Sequence, residues 1–435
     1  MRQMKDSGIE WIGEIPENWN VERNKQLFYE VNDRCENGDE HTLLSVSEYF
    51  GIAPKSEKIS DGEFETRAET LDGYKLCEID DIVMNIMLAW KRATGRSDYN
   101  GIVSPAYCVY RKKADIDTHY YHYLFRTDIV ANLFKQYSTG IIDSRLRLYP
   151  DKFLALQMIV PPLPEQQAIS AYLDRQCSHI DSVIEKTKAS VEEYKKLRQA
   201  VITQAVTKGV RGERPMKYSG IEWIGEIPEE WEIAKIKVGV TKVGSGKTPS
   251  GGAETYATEG VLFLRSQNIY DSGLNLDSPT YIAAQVDEEM KNTRVQPNDV
   301  LLNITGGSIG RCCIFPPELK SANVNQHVSI IRVIDSIFTP EYMHYYWNSD
   351  IGKKSIALYQ TGGNREGMSA DAIKNSPIMI MSLDEQKEIA AYLDTKCIEI
   401  DSLISKKEQF LTELESYKKS MIYEYVTGKK EVPQS

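Results

Sequence analysis

Several short stretches carry residue types that do chemistry. "GSGKT" (244–248) has the glycines, lysine and threonine of a phosphate-cradling loop. That loop needs another glycine five positions before Gly246, where Thr241 stands, and "PSGG" after it opens no helix. A glycine-rich turn presenting Lys247 and Thr248 to a ligand fits better. "PDKF" (150–153) with "EEYK" (192–195) offers the carboxylates and lysine of a metal-dependent nuclease, but Glu193 and Lys195 fall inside a long helical pattern. "FPPE" (315–318) lacks the polar residue before the prolines that methyl transfer to a base amine needs, and no glycine-rich cofactor motif precedes it. His41, His119, His122, His179, His327 and His344 make no nucleophile–base–acid order. The seven cysteines form no CxxC pair, and Cys312-Cys313 near His327 has no zinc spacing, so ordinary thiols in a reducing compartment are expected. The residues predict a chain with no covalent chemistry and no metal of its own.

Binding is the remaining option. Loops that mix Lys and Arg with Asn, Gln, Ser and Gly suit phosphates and base edges. "AWKRATGRSDYN" (89–100) offers Lys91, Arg92 and Arg96, and "TGIIDSRLR" (139–147) offers Ser144, Arg145 and Arg147. Later in the chain come Lys247, then Arg265, Gln267 and Asn268 in "RSQN". "GGSIGR" adds Ser308 and Arg311, "NVNQH" adds Asn325, Gln326 and His327, and "GGNR" adds Asn364 and Arg365. A net charge of −11 argues against a generic basic nucleic-acid binder. It is compatible with local patches whose counter-charge sits on acidic helices.

The elements that hold these loops are written twice. "MKDSGIEWIGEIPENW" starts at Met4 and "MKYSGIEWIGEIPEEW" at Met216, with fourteen of sixteen residues identical. "LPEQQAISAYLDRQCSHIDSVI" (163–184) returns as "LDEQKEIAAYLDTKCIEIDSLI" (383–404), and the register holds to "VTKG" (206–209) and "VTGK" (426–429). Between these anchors the match is thin but ordered: "DDIVMNIM" with "NDVLLNIT", "YHYLFRTD" with "MHYYWNSD", "YSTGIIDSR" with "YQTGGNR". Near-identical ends around divergent middles predict a duplicated scaffold carrying two different reading surfaces.

Helical periodicity runs through both copies of the second repeat. Ile180, Ile184, Val191, Tyr194, Val201 and Ala205, and likewise Ile400, Ile404, Leu411, Leu414, Met421 and Tyr425, step at coiled-coil spacing. Thr187, Arg198, Lys407 and Lys418 interrupt the seam. Each helix is expected to run roughly 45 residues, about 65 Å, ending at Gly209 and Gly428. The middles read as α+β, with strands in "IVMNIMLAW", "AYCVYR", "LQMIVPPL", "VLFLRS", "DVLLNI" and "VSIIRV", and amphipathic helices in "HYYHYLFRTDIVANLFKQ" and "PEYMHYYWNSDIGKKSIAL". Two equal helices that carry the chain out and back predict antiparallel pairing, one globule at each end and a pseudo-twofold repeat. The opening phrase then marks a junction between helix and globule, with Trp11, Ile12, Ile15 and Trp19, and Trp223, Ile224, Ile227 and Trp231, as packing residues. A second apolar line, Val183, Leu197 and Ile202 with Leu403, Tyr417 and Ile422, suits either a wide core stripe or a partner helix.

With these residues in place, the whole chain resembles the specificity subunits of Type I restriction–modification systems. The doubled "SGIEWIGEIP", the "PPLPEQQAI…LD…ID" start of the long helix, and the fragments "GSGKTPSGG", "FLRSQNI", "NITGGSIGRCCI" and "VNQHVSIIRV" carry the likeness. The second copy reads "SLDEQ" in place of "PPLPEQ". The resemblance implies α/β target-recognition domains at 1–161 and 213–381, spacer helices at 162–212 and 382–428, and a tail at 429–435. It implies that each domain reads one half of an asymmetric bipartite sequence in double-stranded DNA. Partners are two adenine-N6 methyltransferase subunits, docked on the second apolar line, and restriction subunits. S-adenosylmethionine, and ATP with Mg for restriction, belong to those partners and not to this chain. A polar N-terminus and the lack of an apolar run near twenty residues fit a cytoplasmic protein. The competing reading is a non-catalytic coiled-coil scaffold whose globules bind proteins.

Overall fold

A computed structural model of the chain describes residues 2–56, 70–359 and 367–433. It divides into two compact units, Met1–Thr187 with Gln409–Ser435, and Lys188–Glu408. Both are α+β, and each contains a segment of each long helix.

The first unit is centred on a four-stranded antiparallel sheet, in the order Phe28–Val31, Tyr107–Lys112, Ile82–Asn85, Thr94–Arg96. Alternation divides its side chains between two cores. Ile82, Met84, Cys108 and Tyr110 join one apolar cluster, while Val83, Val109 and Val31 join the other. The second unit builds the same sheet from Val240–Ser245, Val328–Val333, Val300–Asn303 and Cys312–Ile314, again all antiparallel. There Val300, Leu302 and Ile331 face one cluster, and Leu301, Cys313 and Ile330 the other. A bidentate ion pair locks each sheet. Arg111 grips Asp81 at 2.9 Å through both contacts, and Arg332 grips Asp299 at 2.7 Å. The residues preceding the two aspartates, Asp80 and Asn298, share a left-handed backbone. The thin sequence match thus conceals an identical framework.

Away from that framework the units part. The first adds the hairpin Leu44–Ser47/Gly51–Pro54 and the antiparallel pair Lys75–Cys77 with Gly101–Val103. The second adds a five-stranded sheet in which Val261–Leu264 lies parallel to Ala322–Val324.

Three expectations are corrected. The strand in "IVMNIMLAW" ends at Asn85, and Ala89–Lys91 forms a 3-10 turn. "HYYHYLFRTDIVANLFKQ" is two helices, Thr118–Phe125 and Asp128–Tyr137, because Thr127 turns extended and its side chain accepts from Val130 N, starting a new helix. "PEYMHYYWNSDIGKKSIAL" splits the same way into Pro340–Asn348 and Asp350–Tyr359.

The opening phrase has a concrete role in each unit. Trp19 is fully buried, and its indole N–H donates to Glu165 at 3.0 Å. Arg2 bonds the same carboxylate and lies over the Trp19 ring at 5.3 Å. In the second unit Trp231 donates to Glu385 at 3.1 Å, and Arg214 bonds Glu385 and covers Trp231 at 5.0 Å. The glutamate of the "PEQ" and "DEQ" motifs is therefore the acceptor that fastens the repeated phrase. The glutamine beside it caps a neighbouring helix: Gln166 accepts from Asp117 N, and Gln386 from Thr339 N, both at 2.9 Å. Losing the prolines in the second copy changes little, since the Ser382 hydroxyl accepts from Glu385 N and helix starts at Leu383 as it does at Leu163.

The long helices span Leu163–Lys208 and Leu383–Val426, 46 and 44 residues. They pair antiparallel within each unit. In the first, Tyr172 meets Tyr425 at 3.2 Å and Asp181 meets Lys418 at 2.6 Å. In the second, Lys407 lies over Tyr194 at 5.6 Å and Arg198 bonds Asp401. Gly209 and Gly428 take the left-handed conformation just after the helix ends, where a Cβ is strained.

Candidate nucleic-acid interface

In the second unit a chain of polar contacts gathers the loop residues. Strand Val240–Ser245 runs into Gly246, whose N–H donates to Val328 O at 3.0 Å, and Lys247 N donates to Val324 O at 3.1 Å. A Cβ at Gly246 would stand 1.9 Å from Val324 O, so only glycine allows this approach. The loop sets Thr248 against Gln326, hydroxyl to amide oxygen. Gln326 contacts His327 at 3.2 Å, and His327 Nδ1 bonds Thr305 at 2.6 Å. Thr305 opens the turn Gly306–Ser308, and Ser308 is tied to Asn303 at 3.1 Å. Asn303 also donates to Ser266 O at 2.8 Å, which fixes the turn carrying Gln267. Arg311 stacks over Tyr270 at 4.6 Å. Lys247, Gln267 and Gln326 are exposed, and Arg311 is half-buried.

Not every predicted residue faces outward. Asn268 is buried: its amide oxygen accepts from Arg265 N and its amine donates to Asn275 O, so it holds the turn. Arg265 donates to Thr280 at 2.9 Å and lies over Tyr256. Asn364 and Arg365 lie outside the described residues. Cys312 and Cys313 are both buried in strand, and burial pushes the Cys313 thiol up to about 12, while His327 is engaged with Thr305.

In the first unit the cations collect around an indole. Trp90 N–H donates to Met87 O at 3.1 Å, and the ammonium groups of Lys91 and Lys135 sit 5.3 and 4.7 Å from its ring centre. Arg147 lies beside Met87 Sδ at 3.8 Å. Segment 139–147 rises from this cluster with Arg145 exposed; Ser144 stands in its 3-10 turn Asp143–Arg145. Arg92 and Arg96 are held elsewhere. Arg92 pairs with Asp128 at 2.9 Å. Arg96 pairs with Asp80 at 2.7 Å and with Asp98; although burial opposes its charge, those carboxylates raise its pKa, and its backbone N–H donates to His122 Nδ1. The loops are clipped by Arg126, whose guanidinium donates to the carbonyls of Ser47, Glu48, Tyr49, Arg92 and Thr94. Burial lowers Arg126 to about 10.

Lys135, Trp90 and Tyr270 escaped the sequence reading. Aromatic residues and a helical lysine carry no loop signature: Trp90 adjoins Lys91 in the sequence, but only the fold brings Lys135 to its ring and Tyr270 beneath Arg311.

The apolar line on the long helices separates into two kinds of residue. Leu197, Leu403 and Tyr417 are 47%, 40% and 59% exposed, whereas Ile202 belongs to the core at 1%. Val183 is half-buried, and Ile422 packs partly buried against the first unit's core. Among the described residues no helix is long and apolar enough to cross a membrane.

Comparison with known proteins agrees with this architecture. Residues 228–413 match the family model of the Type I restriction modification DNA specificity domain. The putative type I restriction enzyme MjaX specificity subunit of Methanocaldococcus jannaschii is 25% identical over 96% of this chain and 95% of its own. The EcoBI specificity subunit of Escherichia coli is 24% identical over 62% of this chain and 57% of its own. Among solved structures, a chain from a type I R-M system studied for complex assembly and conformational transition superposes with a TM-score of 0.73 at 14% identity, covering 96% of this chain and 99% of that one. The HsdS subunit of Thermoanaerobacter tengcongensis gives 0.56 at 16% identity, over 96% and 98%. A repeated helix–globule junction, one sheet framework built twice and polar loops on each unit thus accompany a chain that carries the Type I restriction modification DNA specificity domain over residues 228–413 and is similar along nearly its whole length, in sequence and in fold, to type I restriction enzyme specificity subunits.

Proposed function

We propose that the chain reads an asymmetric bipartite sequence in double-stranded DNA and positions two adenine-N6 methyltransferase subunits, and restriction subunits, upon it. The observation that carries this reading is the contrast within the repeat. The Arg–Trp–Glu junctions and four-stranded sheets are the same in both units, while the loops on them share almost no residues. Equal frameworks with unequal loops suit two half-sites of different sequence. Residues 1–161 and 213–381 act as the recognition domains, with 162–212 and 382–428 as spacers. Lys91, Arg145 and Arg147 in one domain, and Lys247, Gln267, Arg311 and Gln326 in the other, face the DNA. Phosphate contacts come from the lysines, and base-edge contacts from the glutamines and arginines.

Leu197, Leu403 and Tyr417 receive the methyltransferase, since exposed apolar side chains on an otherwise polar helix mark a partner surface. The chain itself performs no covalent chemistry and works in the cytoplasm. S-adenosylmethionine, and the ATP and Mg of restriction, are bound by the partners. Co-expression with the cognate methyltransferase followed by genome-wide mapping of methylated adenine tests this: a two-part motif should appear only when the chain is present. Methylation independent of the chain would overturn the reading.

A further inference from the structure

Segment 139–147 of the first unit is a closed tongue. Thr139 N donates to Arg147 O at 2.9 Å and Arg147 N to Thr139 O at 3.0 Å, sealing its base. Arg145 N donates to Ile142 O at 2.8 Å inside it, and buried Leu146 and Leu148 anchor its returning strand. At the tip Ile141 is 100% exposed and Ile142 53%. Leaving an isoleucine wholly in water forgoes the favourable free energy of burying its side chain. Two adjacent ones on a braced loop mark a contact surface.

The surroundings say what kind of contact. Arg145 is exposed on the tongue, with Lys91, Lys135 and Arg147 clustered at its foot around Trp90 and Met87. The tongue's aspartate, Asp143, is paired with Lys135 at 2.9 Å. An apolar point beside four cations complements a polyanion with an apolar interior, which is the description of duplex DNA. A protein partner would want about 800 Å² of surface, far more than two side chains provide. Branched aliphatic side chains also lose little rotamer freedom when they insert.

We propose that Ile141, backed by Ile142, is a wedge that enters a base step in the half-site read by the first unit, while the cations hold the flanking phosphates. Such wedges unstack one step and bend the duplex. This rests on the DNA-recognition reading above. The repeat-related segment of the second copy, "YQTGGNR", lies outside the described residues beyond Tyr359, but its sequence is shorter and has no isoleucine. The distortion should therefore occur in one half-site only.

The test uses the full chain assembled with its methyltransferase, on duplexes carrying the mapped target with 2-aminopurine replacing adenines in turn. Because methyl transfer can itself expose its target adenine, the signal sought is one lost in a variant carrying Ile141→Ser and Ile142→Ser. Both positions face solvent, so the variant keeps its fold. Expected is a several-fold fluorescence rise at one step of one half-site, abolished in the variant, with affinity for the intact duplex down about tenfold. A mismatch placed at that step should erase most of the tenfold difference, because unstacking there is already cheap. No variant-sensitive step, or an undiminished difference on the mismatched duplex, overturns the wedge. So does a loss that thymine-to-uracil substitution reproduces, which signals a methyl contact, or a variant that no longer assembles with the methyltransferase, which signals a protein contact. A wild-type chain that directs no motif at all overturns the DNA-recognition reading instead, and is recognised before any fluorescence is measured.

Discussion

Arg198 Nε stands 2.9 Å from Asp401, and it is the counterpart, under the internal repeat, of Lys418 standing 2.6 Å from Asp181. A polar residue that breaks each hydrophobic seam is thus answered, at the equivalent place, by a carboxylate from the opposite helix. Such pairs fix antiparallel register more than they add stability, since both are substantially exposed to water. Arg198→Ala should lower the unfolding free energy by less than about 1 kcal/mol in equilibrium urea denaturation. Larger losses would mean the pair is structural in a way its exposure does not suggest.

The junction behaves oppositely. Glu385 is almost fully buried, accepts from Trp231 and is paired with Arg214. Glu385→Ala leaves the Trp231 indole N–H without its acceptor and the Arg214 guanidinium with only Glu230 and the Lys208 carbonyl, and should cost about 1–3 kcal/mol. Glu165→Ala should cost less, because Glu165 and Arg2 are more exposed. Paired denaturation curves decide the order; an equal effect at both sites would contradict the burial difference.

Acidification should weaken the fold through two histidines. Burial holds His344 down at about 4, helped by the Arg198 charge, and it holds His122 well below the usual range, helped by Arg126. Between pH 4 and 6.5 the unfolded chain takes up protons that folded His344 refuses. Stability should therefore rise with pH across that window and flatten above it. His344→Asn should reduce the slope when unfolding is followed by circular dichroism from pH 4.5 to 7.5; an unchanged slope would assign it to other groups.

Leu197→Glu with Tyr417→Glu should abolish co-purification with the methyltransferase while the far-ultraviolet spectrum and melting temperature of the chain hold. Ile202→Glu, on the same line but in the core, should instead unfold the chain. Retained association by the folded double variant would return the exposed line to ordinary surface.

Much of this was readable before the fold was known, and the reason is physical. Helix seams, glycine stops and a duplicated phrase are local and periodic, so they survive in one dimension. Trp19 and Trp231 were legible as packing residues, but their glutamate acceptors were not, since those lie 146 and 154 residues away. Basic loops were legible as a class. Sorting them was not: Arg96 and Lys247 look alike in sequence, yet Asp80 and Asp98 claim the first, while the second stands exposed. Asn268 has the type and setting of a residue that contacts base edges, yet in the fold its amide is bonded at both ends, to Arg265 N and to Asn275 O.

Within the second unit, Lys247→Ala should weaken DNA binding about equally for all sequences and lessen its salt dependence, whereas Gln326→Ala should cost about 1–3 kcal/mol and relax one position of the motif. Fluorescence anisotropy against a panel of single-base variants separates the two effects. Identical profiles for both variants would remove Gln326 from base reading.

The most direct measurement exchanges residues 20–160 for the corresponding segment of a relative with a different target, keeps both junctions, and maps methylated adenine by sequencing. The new motif should differ from the old in one half only, with the other half and the spacing between them unchanged. A motif altered in both halves, or unaltered, would contradict the claim that two independent reading surfaces share one duplicated scaffold.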